Sequence, residues 1–385
     1  MAYYSIFPEK TSTLYSHPDR LELNTGNDEI IELIKEKGNS GSDYYPSRVL
    51  IQFKDEDINK AYNIFKLNPN YIDNDTEASL ILPAFLELFS TEHQNLGQLQ
   101  ELEIFPLSQS WNAGTGKYSD KPQTSNGCTW KYSDNSIRTT NWSTEFNNYS
   151  TGSIESEIIK AGGGTWYTSF PGRFDNVLYT QSFNNVDILD INVDIKNQAY
   201  YWNNGTIENN GLIIKYNNNI ETYTPSSVGN LQFFSVNTHT IYPPKLTFKW
   251  DDSVHYSQSI AKTKGELNVS LYRNKKEYNQ NDEAIIRLHV RDKYPTRQFT
   301  SSSNYLNPGY FTTSSFYSIR DAHTEEEIIP FDNDYTKLSA DDEGMYFKLY
   351  IKSLQPERYY RILFKHTNND GTEIYDNNYH FKVVR

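Results

Sequence analysis

The sequence predicts an all-β protein of two successive β-sandwich domains. Apolar residues recur with a period of two in short segments bounded by Asn, Gly, Pro or Ser, which is the pattern of half-buried strands. Tyr at 31 and Phe at 20 supply large rings that pack well on pleated surfaces. Helical spacing stands out in only two short stretches, NDEIIELIKEKG (27–38) and DEDINKAYNIFK (55–66).

Taken in order, the strand candidates of the first part are SRVLIQF (47–53), ASLILPAFLELF (78–89), QELEIF (100–105), NNGLIIKY (209–216) and PPKLTFKW (243–250). Of the helical stretches, 55–66 is expected to pack on a sheet edge or end, while 27–38 reads equally as a helix or a strand. A boundary lies near residue 252, where DDSVHYSQSIAKTKG turns polar and irregular, giving a linker over 253–265. A second series then begins with ELNVSLY (266–272), EAIIRLHVRD (283–292), FYSIRD (316–321), EEEIIPFD (325–332), MYFKLYI (345–351), RYYRILFKH (358–366) and NNYHFKVVR (377–385). Seven strands in about 120 residues is the size of an immunoglobulin-like sandwich, here without a cysteine pair. FYSIRD and EEEIIPFD are expected to form a hairpin with DAHT as the turn.

At 385 residues the chain is long enough for two or three domains. Its net charge, 36 minus 49 or −13, disfavours nucleic-acid binding through overall charge, because no counterion-release energy is gained. Cys128 is the single cysteine, so an intrachain disulfide and a thiolate zinc cluster are both excluded. The opening MAYYSIFPEKTSTLYS has neither a basic n-region nor an apolar h-region, and no run reaches the length of a membrane span. Synthesis in a cytoplasm, without membrane insertion, is the expectation. The five Asn-x-Ser/Thr matches, at Asn74, Asn141, Asn148, Asn204 and Asn268, are what an Asn-rich chain yields by chance.

One stretch, WNNGTIENNGLIIKY (202–216), reads in two ways. Trp202, Tyr216 and the asparagines suit a sugar platform, since flat rings cover pyranose faces and amides pair with hydroxyls. They equally suit a turn that delivers a strand into a core. The ordered series TSTLYS, NTGNDEIIEL, SRVLIQF, ASLILPAFLELF, QSWNAGTGKYSD, GCTWKYSD, VDIKNQAYYWNNGTIENNGLIIKY and QFFSVNTHTIYPPKLTFKW resembles β-sandwich domains of the DNRLRE type. The resemblance covers most of residues 1–252 and implies a jelly-roll-like sandwich with an enlarged loop region around 126–184. It also implies that the NNG turn feeds a strand with Leu212 and Ile214 on one face and Ile213 on the other, and that Trp202 is a partly buried anchor.

A second resemblance comes from RDKYPTRQFTSSSNYL and from FYSIRDAHTEEEIIPFDNDYTKLSADDEGMYFKLYIKSLQPERYYRILFK, together with the opening AYYSIFPEKTSTLYS. These look like parts of virion structural proteins of large tailed bacteriophages, particularly those of marine bacteria. The resemblance implies a non-enzymatic building block of the virion, at the neck, tail or capsid surface. Its implied partners are other virion proteins and copies of itself; a host glycan is the alternative partner.

Chemical motifs do not redirect this reading. GxSxG, HExxH and GxxxxGK[ST] do not occur, and Gly162-Gly163-Gly164 precedes Thr165 and Trp166 as a surface turn would, without a phosphate-binding lysine. The eight histidines never fall at metal-ligand spacing; His289, His366 and His380 sit inside strand patterns. Glu101 and Glu103, like Asp187 and Asp194, read as outward strand positions. Asp332, Asp334, Asp341 and Asp342 form an acidic loop region with oxygen ligands of the kind calcium takes, without EF-hand spacing, so a solvated loop is the default. No cofactor and no metal ligand is assigned. The candidate interface is Arg291, Tyr294, Arg297 and Phe299, at the corner RDKYPTR and in the uncharged loop QFTSSSNYLNPGYFTTSS, because Arg, Tyr and Phe are enriched at protein interfaces.

Overall fold

The alternation in EAIIRLHVRD sets the plan of the C-terminal region: Ala284, Ile286, Leu288 and Val290 are buried, while Glu283, Ile285 and Arg291 are exposed. The computed structural model describes residues 2–38, 44–71, 81–94, 100–143, 151–152, 162–168, 178–183, 189–223, 229–256, 266–294, 309–368 and 371–385. It is an all-β fold of several antiparallel sheets, one of them a curled half-barrel, and is sandwich-like in its general architecture. The chain divides into two compact units. One, here the first unit, is Ile6–Tyr62 with Pro83–Thr247; the other, the second unit, is Phe248–Arg385 with Met1–Ser5 and Asn63–Leu82.

In the second unit, one sheet runs Leu267–Tyr272, Glu283–Asp292, Gly344–Tyr350, Ser339–Asp341. The other runs Glu277–Asn279, Gly371–Val384, Tyr359–Asn368, Ser315–Asp321, Glu327–Ile329. All neighbours are antiparallel except Glu277–Asn279, which lies parallel to the end of Gly371–Val384. The expected hairpin forms, Ile319 pairing with Ile329. Its turn is held by Asp321, whose Oδ1 accepts from the N–H groups of His323 and Thr324. Rings fill the space between the sheets: Tyr317 stacks on Phe347 with centroids 3.9 Å apart, and Phe347 meets Phe364 edge-on. Tyr360, at the start of its strand, donates its hydroxyl to the carbonyl of Gln355 at 2.9 Å. Tyr3 belongs to this same core, and the N–H of Ser5 donates to Ser353 Oγ.

In the first unit an eight-stranded sheet is organised on Tyr44–Gln52. Lys10–Tyr15 pairs along one side, with Thr11 opposite Ile51, and Leu212–Tyr216 along the other, with Leu212 opposite Ile51. All five residues of Leu212–Tyr216 are buried, so both faces of that strand are covered. One face meets a cluster of Trp111, Trp130, Trp142 and Trp166 with Leu14, Leu50, Leu107, Cys128 and Ile213. Burial pushes the Cys128 thiol up to about 12, which leaves it a small core hydrophobe.

The helix expected at 55–66 forms over Asp55–Lys66, with Ile58, Ala61 and Tyr62 buried. Residues 30–37 form a strand, Ile30–Lys37, which pairs with Asn230–Phe234; β-branched Ile30, Ile31 and Ile34 favour that outcome over the helix. Two further helices, Lys196–Asn203 and Asn218–Tyr223, were not anticipated. The first draws on KNQAYYWN, which contains no β-branched residue.

Candidate functional site

Two surfaces and one buried centre concentrate the chemistry. The first surface is the outer face of the sheet around Glu283–Asp292 in the second unit. Alternation sends Arg287, His289 and Arg291 to one side, and the register sets Tyr272 and Tyr346 on either side of Arg287. Arg287 donates both terminal nitrogens to the Asp341 carboxylate at 2.9 Å and lies over the Tyr346 ring at 5.2 Å. The guanidinium holds the Asp341 carboxyl below its ordinary range. His289 stacks on Tyr272 at 4.5 Å, and Arg273 covers the same tyrosine at 4.8 Å. Arg291 is exposed at the end of the strand, and Tyr294 just beyond it is 77% exposed.

Of the candidate interface, Arg291 and Tyr294 therefore lie on one exposed corner, while Arg297 and Phe299 fall outside the described residues. The uncharged loop is not all contact surface. Tyr310 and Phe311 are buried in the core, Phe311 stacking on His366 at 4.5 Å. Asp332 and Asp341 are engaged within the chain: Asp332 Oδ1 accepts from the N–H groups of Asp334 and Tyr335, and Asp341 binds Arg287. Among the described residues no group of three or more His, Cys, Asp or Glu is placed to hold a metal ion.

The second surface is a groove of about 540 Å³ in the first unit, lined by Tyr15, Asp28, Glu29, Glu32, Glu36 and Tyr118 among others. The strand Ile30–Lys37 supplies Glu32 and Glu36, and the preceding turn supplies Asp28 and Glu29. Glu32 accepts from the Tyr15 hydroxyl at 2.6 Å and from Gln232 Nε2 at 3.0 Å. Burial and the Glu32 charge raise the Tyr15 phenol well above its ordinary range. The Tyr118 N–H donates to Asp28, whose carboxyl is nevertheless pushed up to about 6, mainly by burial. Arg20 bonds Glu36 and lies over Tyr118 at 4.7 Å, so the groove holds one guanidinium of its own chain between a ring and a carboxylate.

The buried centre, also in the first unit, joins Arg48 of Tyr44–Gln52 and Lys215 of Leu212–Tyr216 to Glu221 of the helix Asn218–Tyr223. Arg48 donates Nε and Nη2 to Glu221 at 3.1 Å and Nη1 to the carbonyl of Gly163 at 2.7 Å. Its guanidinium faces Trp130 and Trp166 at 4.7 and 5.1 Å. Lys215, also buried, donates to Glu103 at 2.7 Å and lies 3.7 Å from Glu221. Gly162-Gly163-Gly164 is thus not a surface turn: all three are buried against this centre. Gly163 has φ +74°, and a Cβ there would lie 2.6 Å from the Trp130 ring and 2.7 Å from Arg48 Nη1. Only a residue without a side chain lets its carbonyl reach the guanidinium.

Glu101 and Glu103 are half-buried and accept from Asn217 and Lys215, Asp194 Oδ1 accepts from the Lys196 N–H, and Asp187 lies outside the described residues. Trp202 is 6% exposed on its helix, which removes it as a sugar platform. The asparagines do shape turns: Asn209 Oδ1 accepts from Gly211 N–H while its amide donates to the carbonyl of Phe53. In the sequence, Arg48 inside the apolar run SRVLIQF is the sign of this buried centre. No protein-family model matches the chain, and no curated protein matches it significantly.

Proposed function

We propose that the chain is a non-enzymatic structural component of a tailed-phage virion, at the neck, tail or capsid surface, acting by protein docking. The observation that carries the docking reading is the outer sheet face of the second unit. Tyr and Arg dominate protein-interface hot spots, and here Tyr272, Tyr346, Arg287 and His289 are locked by stacking and a bidentate ion pair, with Arg291 and Tyr294 exposed beside them. Such pre-fixed side chains lose little entropy on binding. The virion assignment itself rests on the sequence resemblance.

In this reading the second unit is an immunoglobulin-like sandwich. Its strand order is that of the four- and three-stranded sheets of that fold with one strand added at each edge of the latter, and the Tyr360 hydroxyl on the Gln355 carbonyl resembles a tyrosine-corner contact at the start of its strand. The first unit is a jelly-roll-like sandwich of the DNRLRE type. Electron cryomicroscopy of the intact particle tests the proposal: density for both units at a fixed position, with the Arg291–Tyr294 corner against a neighbour, is the expected result. Purified particles that lack the chain would overturn it.

A second reading, a carbohydrate-binding adhesion module, is favoured by the groove of the first unit. Tyr118 is 41% exposed there beside carboxylates and the amides of Asn230 and Gln232, groups that pair with sugar hydroxyls. A glycan array separates the two, since a pure building block binds none of the sugars, whereas a hit abolished by Tyr118→Ala assigns the groove.

A further inference from the structure

We propose that copies of this chain assemble head to tail, the basic sheet face around Arg291 of one copy seated on the acidic groove beside Tyr118 of the next. The inference rests on the protein-docking reading above and names its partner as a second copy.

The face is out of character for the chain. In a protein of net charge −13, Arg291 and Lys348 share one side of one sheet with a single exposed carboxylate of the central strand, Glu283; Arg273 reaches that side over the Tyr272 ring, and none of the three cations has a carboxylate at ion-pair distance among the described residues. Arg287, at the centre, is neutralised by Asp341 and Glu343, and Lys293, past the end of the strand, by Glu266. Exposed Ile285 and the Tyr272–His289 stack add apolar area between the cations. A face of this kind selects an acidic partner that also offers rings.

The groove has the complementary shortage. Asp28, Glu29, Glu32 and Glu36 line it with one lysine, Lys117; Glu36 binds Arg20, and Glu29 has only the imidazole of His239, 4.0 Å away, at ion-pair distance among the described residues. Arg20 shows how the groove receives a guanidinium, over the Tyr118 ring and onto a carboxylate. Arg291 or Arg273 of a neighbouring copy meets the same two elements, an exposed ring and an uncompensated carboxylate. The two surfaces differ in sign and shape, so their contact is heterologous, and its repetition generates a closed ring or an open filament. A free polyanion would use the basic face alone and would be indifferent to the groove.

Sedimentation velocity of the purified full chain tests this. The sedimentation coefficient is expected to grow with concentration at low salt, and the apparent affinity to fall at least about tenfold when salt is raised to about 0.5 M, as screening shortens the reach of the charges. The double variant Arg273→Glu/Arg291→Glu and, separately, Glu29→Lys are each expected to abolish self-association while retaining the wild-type circular dichroism. Mixed together they associate again, because each supplies the surface the other lost. A chain that stays monomeric at every concentration, reversals that leave association unchanged, or a mixture that stays monomeric would each overturn the proposal. None of these results depends on finding the chain in particles, so this inference and the virion reading fail separately.

Discussion

In the second unit the space between the sheets is filled around Phe347 by rings and aliphatic chains. In the first, the interior beside Leu212–Tyr216 holds a guanidinium, an ammonium and a carboxylate whose side chains have no exposure at all. The difference teaches what each core tolerates. An apolar core loses contacts in proportion to the volume removed. A buried ion set has paid its desolvation in advance, so removing one member strands the others.

The largest expected effect breaks the first core at its charge. Glu221→Gln leaves Arg48 and Lys215 without their shared carboxylate and is expected to cost about 3–5 kcal/mol. Urea unfolding followed by tryptophan emission checks it, since Trp111, Trp130, Trp142 and Trp166 all sit in the first unit. The paired change Arg48→Met/Glu221→Leu, which removes the central charges together, is expected to unfold later than Glu221→Gln alone. If the double variant is the weaker of the two, the centre is not limited by stranded charge.

Gly163→Ala sharpens the same point through the backbone. It forces a Cβ against Trp130 and Arg48 at a left-handed φ, for an expected loss of about 1–3 kcal/mol. A midpoint equal to wild type would mean that Trp130 and Arg48 can give way, and that the centre is looser than its distances imply. In the second unit the matching change is milder: Tyr360→Phe removes one hydroxyl bond to Gln355 and is expected to cost about 0.5–1.5 kcal/mol. Amide exchange should rise around residues 355–360 and leave the first unit unaffected.

The same contrast explains how far the sequence could be read. The second unit was legible because its strands alternate cleanly; EAIIRLHVRD declares both its core face and its outer arginines. Where sequence and structure part, long-range packing decides. NDEIIELIKEKG carries apolar residues compatible with two periods, and its pairing with Asn230–Phe234 chooses the strand. Nothing in AYYSI says which of two cores its tyrosines join. The glycine run looked like solvent-exposed backbone because its partners, Trp130 and Arg48, lie 33 and 115 positions away from Gly163. Of the surfaces, Arg291 and Tyr294 were identified from residue type alone, whereas the groove is assembled from turns and strands distant in sequence, and only Asp28 to Glu36 lie together.

The smallest effect concerns the groove and ties its charge to pH. The Asp28 carboxyl is raised from 3.8 to about 6 by burial, with Glu32 and Asp120 adding to the shift and the Tyr118 N–H and Lys117 opposing it. The folded chain therefore holds this proton more tightly than the unfolded one, and the resulting stability is present in full below 3.8 and lost as pH rises through about 6. Asp28 is partly exposed, so the loss is modest. Against wild type, Asp28→Asn is expected to flatten the decline in thermal midpoint between about pH 4 and 7, because the amide has no proton to release. An unchanged slope would mean that other carboxylates set it. Docking runs the other way: each groove gains a negative charge over the same interval, so head-to-tail association should strengthen as the isolated fold weakens. Sedimentation at about pH 5 and 7 on wild type and Asp28→Asn reads that opposition directly, with the pH response of association expected to shrink in the variant.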